Sequence, residues 1–181
     1  MQKFNKTIYK GISLIAHPVF VFPVLTIIYF ERKHLYSFLA VLGFSFLLPF
    51  TFFLYLYRTK KISNFEVTEH KQRTKLYFAS LAGLSLSILY LYIFSSTEIV
   101  IAFRKLLFIA FSLILINFRV KISIHTALIT VFCFSLVRDF NTHPVIFLLV
   151  PLVGYSRLKL KKHHILDIIL GALIPTLFYL M

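Results

Sequence analysis

Long apolar runs separated by short, mostly basic turns set the pattern of this chain. Seven runs can be marked: Ile12 to Phe30, Leu35 to Tyr57, Leu76 to Phe94, Ile99 to Phe118, Ile122 to Val137, Pro144 to Tyr155 and His164 to Met181. Most approach the length of ~20 residues that a helix needs to cross a bilayer core. The sixth, with about a dozen apolar residues, reads either as a re-entrant segment or as a tilted helix running on through Arg157 and Lys159, whose stems would snorkel. His17-Pro18 and Pro49 mark expected kinks, since proline frees a backbone carbonyl. Pro144 suits a first helical position, which leaves His143 as a loop residue. Ala79, Ser80, Ala82, Gly83, Ser85 and Ser87 give the third run a small-residue packing surface. The pattern predicts an all-α, polytopic membrane bundle of six to seven transmembrane helices, with residues 1–181 forming one integral membrane domain.

The polar stretches fit that outline. Met1 to Lys10 reads as a basic interfacial segment leading into an uncleaved first span, because the run after it is long and lacks a small-residue cleavage site. Arg58 to Lys75 is the longest polar stretch, with turns or caps at Ser63-Asn64 and Thr68-Glu69. Arg104 and Lys105 fall near the start of the fourth run and are expected to snorkel.

Composition sharpens the class. Hydrophobic residues make up 59% of the 181 and charged ones 14%, more apolar surface than a soluble domain of this size can hide. The net charge of +14 could suggest nucleic acid, but no nucleic-acid motif accompanies it, and Lys and Arg collect at the ends of membrane helices. No nucleic-acid partner is expected; the bilayer is. The single Cys133 lies within an apolar run and excludes an internal disulfide.

Candidate chemistry concentrates between Tyr155 and Gly171. His163 and Asp167 stand four residues apart, a spacing that on a helix puts imidazole and carboxylate on one face. A carboxylate behind a histidine fixes its tautomer and raises its basicity, which suits a nucleophile or a general base. Arg157 offers a fork for phosphate oxygens. Gly171, one further step of four, leaves room for a neighbouring helix.

Ser156, Arg157, His163 and Asp167 form S-R-x5-H-x3-D, which resembles the third signature of the type 2 phosphatidic acid phosphatase superfamily. Ile122-Ser123-Ile124-His125 resembles the second, P-S-G-H, without its proline and glycine. Arg73 is the best arginine for the first, K-x6-R-P, although Glu66 stands at its lysine and Thr74 at its proline; Lys71 is a substitute lysine. The resemblance implies a lipid phosphate or diphosphate monoesterase that uses neither metal nor cofactor. His163 would be the nucleophile oriented by Asp167, and His125 the acid for the leaving oxygen. Arg157, Arg73 and Ser123 would hold phosphate. His164 is the rival nucleophile, three residues from Asp167. Two other readings stand beside this one: an inactive relative that binds lipid or serves structurally, and a small transporter.

If all seven runs cross, the three signatures share one membrane face with the amino terminus, as a single site requires. Fifteen of the 20 Lys and Arg residues then lie on that face, and the positive-inside rule puts it in the cytoplasm. The resemblance points to a bacterial cytoplasmic membrane, where several relatives act on the outer side.

Overall fold

The computed structural model describes residues 2–30, 35–62, 67 and 70–181, with side chains from residue 7 onward except those of His70, Lys71 and Arg73. The described residues outside turns and loops are helical. The helices are α1 (Gln2–Ile15), α2 (Pro18–Phe30), α3 (Leu35–Val41), α4 (Leu48–Arg58), α5 (His70–Phe94), α6 (Thr97–Asn117), α7 (Ile124–Arg138), α8 (Leu149–Lys159) and α9 (Ile165–Leu180). A π-helical segment, Leu42–Leu47, joins α3 to α4, and a 3-10 segment, Pro144–Leu148, leads into α8.

Three helical stretches are long and apolar enough to cross a membrane: Leu35–Arg58, Thr74–Phe94 and Thr97–Asn117. A fourth is formed if Thr7–Ile15 and Pro18–Phe30, bent by 40° at their junction, make one broken span. Helices α7 and α9 are apolar but shorter. Phe78, Leu89 and Ile93 on α5, with Phe108, Phe111 and Leu115 on α6, are exposed. In water such side chains would form adhesive patches; in lipid they face their natural solvent. This is a membrane protein.

The expected kinks have distinct forms. At His17-Pro18 the helix breaks, and the bend falls there. Pro49 acts upstream of itself. Lacking an N–H, it cannot continue the ladder, and the preceding turn widens so that Leu48 N–H bonds five residues back to the Gly43 carbonyl. The span nevertheless runs unbroken from Leu35 to Arg58. The sixth run becomes helical from Pro144 to Lys159, longer than the dozen apolar residues ending at Tyr155. The polar stretch before the third run is partly helix, because α5 begins at His70 and not at Leu76.

By packing, the chain forms two compact units, residues 26–111 and residues 1–25 with 112–181. In the first, α5 lies against the π segment. A Cβ at Gly83 would stand 2.2 Å from the Phe44 carbonyl oxygen, so only glycine permits this approach. Ser45 and Ser87 meet hydroxyl to hydroxyl at 2.6 Å, as the small-residue surface predicts. Phe30 packs on Phe103.

The second unit is built on α7 and α9, with α8 beside both and α1 against α8. Along the seam, Ser135 Oγ and Tyr179 Oη hydrogen-bond at 2.8 Å, and the rings of Phe134 and Tyr179 stack. At the other end a Cβ at Gly171 would lie 2.6 Å from the Ser123 carbonyl oxygen. The glycine lets the start of α7 rest on the backbone of α9, as its position in the sequence suggested.

Candidate active site

Three chain ends meet in the second unit: the start of α7, the loop from α8 to α9, and the corner between α1 and α2. Asn117, buried at the end of α6, accepts the Ile122 N–H on its side-chain oxygen at 3.1 Å. That bond fixes the turn into α7. Ser123 caps α7, its Oγ accepting from Thr126 N–H at 3.4 Å and from Thr126 Oγ1 at 2.9 Å. Its own N–H donates to the Asp167 carbonyl at 3.0 Å, which ties the two helix starts together. Lys121 Nζ donates to the Lys162 carbonyl at 2.8 Å and closes the same junction from outside.

Asp167 sits in the first turn of α9 and reaches back over the helix end. Its Oδ2 lies 3.1 Å from His163 Nδ1 and accepts the His164 N–H at 3.0 Å. The pair forms, though not because both residues lie on one helical face. His163 precedes the helix, whose N-cap is His164; the contact is a first-turn carboxylate folding back on its cap. His163 is 8% exposed, Asp167 6%, Arg157 4% and His125 8%, whereas the rival His164 is exposed.

Burial decides the state of His163. It pushes the imidazole down to about 4; Arg157 and Lys121 push the same way, while the hydrogen bond and charge of Asp167 oppose them. The ring is therefore neutral at pH 7. With Nδ1–H donated to the carboxylate, Nε2 carries the lone pair.

Arg157 lies near the end of α8, buried, with Nη1 donating to Ser13 Oγ on α1. Its charge is felt at His163. The adjoining Ser156 is turned inward, its Oγ donating to the Val153 carbonyl at 2.7 Å. His125 occupies the first turn of α7, as the sequence placed it, and packs against His17. The structure thus assembles His163, Asp167, Arg157, Ser123 and His125 in one unit. Ser123 contributes a cap and a backbone tie, its hydroxyl already engaged by Thr126. Arg73 falls at the start of α5, in the other unit, and its side chain lies outside the described residues, as do Lys71's side chain and Glu66.

Sequence reasoning missed Ser13 and ranked a kink at His17 above a functional role. Their spacing of four, the only polar positions in Ile12 to Pro18, was the available signal. No protein-family model matches this chain, nor does any curated protein or solved structure.

Proposed function

We propose that this chain is an integral membrane phosphatase that hydrolyses a lipid phosphate or diphosphate monoester through a phosphohistidine. The observation that carries the reading is the buried His163–Asp167 pair, 3.1 Å apart, set beside the buried guanidinium of Arg157. A neutral imidazole with Nδ1 tied to a carboxylate is a nucleophile at Nε2. A buried arginine nearby is suited to three phosphoryl oxygens whose charge grows in the transition state.

In the reaction, His163 Nε2 bonds to phosphorus as the bond to the lipid oxygen breaks. His125, protonated, gives its proton to that oxygen and leaves neutral. Asp167 stabilises the positive ring that His163 becomes. His125 then takes a proton from water, whose oxygen displaces His163 and releases phosphate. Arg157 holds the non-bridging oxygens throughout, and the N-termini of α7 and α9 add positive potential at the same place. In the sequence resemblance Arg73 completes the oxygen contacts.

The proposed setting is a bacterial cytoplasmic membrane, crossed by six to seven helices, with α7, α8 and α9 among them. An amphiphile then keeps its tail in lipid while its phosphate reaches the helix ends. Charge bias favours the cytoplasmic face. The test is phosphate release by detergent-purified protein from a panel of phosphatidate, phosphatidylglycerol phosphate, polyprenyl diphosphate and lipid A phosphate. Turnover that vanadate suppresses supports the reading; no release from any member defeats it and favours the inactive relative.

A further inference from the structure

The corner between α1 and α2 brings two polar side chains to the site that the reaction above leaves unused. Ser13, buried on α1, accepts a hydrogen bond from Arg157 Nη1. Four residues on, the His17 ring stands perpendicular to that of His125, with centroids 5.1 Å apart and planes at 78°.

His17 also caps α2, Nδ1 accepting the Val19 N–H at 3.3 Å. The chain repeats this arrangement: His143 precedes Pro144, and its Nδ1 accepts the Val145 N–H at 3.2 Å. Capping does not need an imidazole, since Asn, Asp or Ser serve as well. What separates the two is surroundings, because His143 is exposed while His17 rests on His125. With Nδ1 accepting, the ring proton of neutral His17 is on Nε2. The His17 ring, packed edge-on against His125, steadies that imidazole in one orientation.

We propose that Ser13 and His17 are positioning residues of this site, Ser13 orienting Arg157 and His17 orienting His125, so that the α1–α2 corner is a working part of it. The inference rests on the phosphatase reading for the reaction it serves.

The experiment uses the full-length protein in detergent and three variants: Ser13→Ala, His17→Asn and His143→Asn. Asparagine keeps each cap acceptor and removes the ring, so a capping role alone predicts equal effects at 17 and 143. Loss of an oriented general acid should slow an alkyl lipid phosphate by about 10- to 100-fold but a nitrophenyl phosphate by less than about 3-fold. His143→Asn should leave both rates near wild type. Ser13→Ala should weaken orthovanadate binding by about 10-fold, as expected for a lost bond to a charged group, and should add little to Arg157→Ala. His17→Asn matching His143→Asn, or slowing both substrates alike, overturns the role of His17. Losses at Ser13 and Arg157 that simply add overturn the role of Ser13. A wild type without turnover defeats the phosphatase reading, and orthovanadate binding then decides the inference. Coupling of Ser13 to Arg157 in that binding sustains it; independent losses, or no binding by wild type, remove it.

Discussion

Replacing Asp167 by Asn removes one charge while leaving the geometry a way to survive. Both hydrogen bonds to this side chain fall on one atom, Oδ2, from His163 Nδ1 at 3.1 Å and His164 N–H at 3.0 Å. An amide oxygen in that place accepts both, so the cap and the tautomer are kept. What disappears is the carboxylate facing an imidazole that becomes positive as phosphorus is captured. A charge-assisted hydrogen bond is about twice as strong as a neutral one, which sets a floor near 1–2 kcal/mol. Unit charges ~4 Å apart at an effective dielectric of ~20 attract by about 4 kcal/mol, which sets a ceiling. Between these limits the turnover number should fall about 100-fold. Asp167→Ala should do worse and lose stability as well, by about 1 kcal/mol for the cap and about 1–3 kcal/mol for an orphaned His163 Nδ1–H. The assay is single-turnover phosphoryl transfer on detergent-purified protein, with thermal unfolding measured in parallel. Asp167→Asn turning over within threefold of wild type, at equal stability, would refute the role given to the carboxylate.

Further outcomes follow from single sites. Gly171→Ala drives a Cβ to 2.6 Å from the Ser123 carbonyl; the resulting shift should cost about 1–3 kcal/mol and lower the unfolding midpoint. Gly11→Ala, with nothing within 4 Å of its Cβ, should gain up to about 1 kcal/mol; a loss there as large as at Gly171 would contradict the packing. His163 has a folded value of about 4 against about 6.5 unfolded, so the unfolded chain binds its proton first. Its share of stability, at most about 3 kcal/mol, is intact above pH 6.5 and is lost as pH falls towards 4; an unchanged pH slope in His163→Gln would count against that burial. Arg73→Ala should slow turnover about 100-fold if the first signature contributes its guanidinium; near-normal rates would exclude Arg73 from the site. A phosphatase reporter fused after Met181 should be active outside the cytoplasm if seven spans begin with a cytoplasmic amino terminus, and an inactive fusion would contradict that topology.

The apolar runs were readable because helix length and hydrophobicity are local properties, and the three long spans begin and end within a few residues of the marked runs. The His163–Asp167 contact was readable for a related reason, since the two residues are close in sequence, and Gly171 needed only a neighbour. Even there the spacing argument reached the right contact by the wrong route: Asp167 folds back over a helix end, where a carboxylate finds unpaired N–H groups. The π segment before Pro49 was not legible beyond a kink, because a lost N–H can be absorbed by a break or by a wider turn. Ser13 and His17 were hidden for a deeper reason. Their meaning depends on Arg157 and His125, more than 100 residues away, and no local pattern announces which helix will lie against which. Helices α7, α8 and α9 fall below a rule of length, since each is shorter than the three long spans and packs against neighbours in the same unit.

The central claim is that His163 Nε2 forms a bond to phosphorus. It is tested most directly by incubating wild type, His163→Ala and His164→Ala with a 32P-labelled lipid phosphate, quenching rapidly, and measuring acid-labile, alkali-stable label on the protein. Label on wild type and His164→Ala, and none on His163→Ala, is the predicted result. Label that persists in His163→Ala and vanishes in His164→Ala would move the nucleophile to the exposed cap residue. Turnover with undiminished label in both variants would contradict the mechanism.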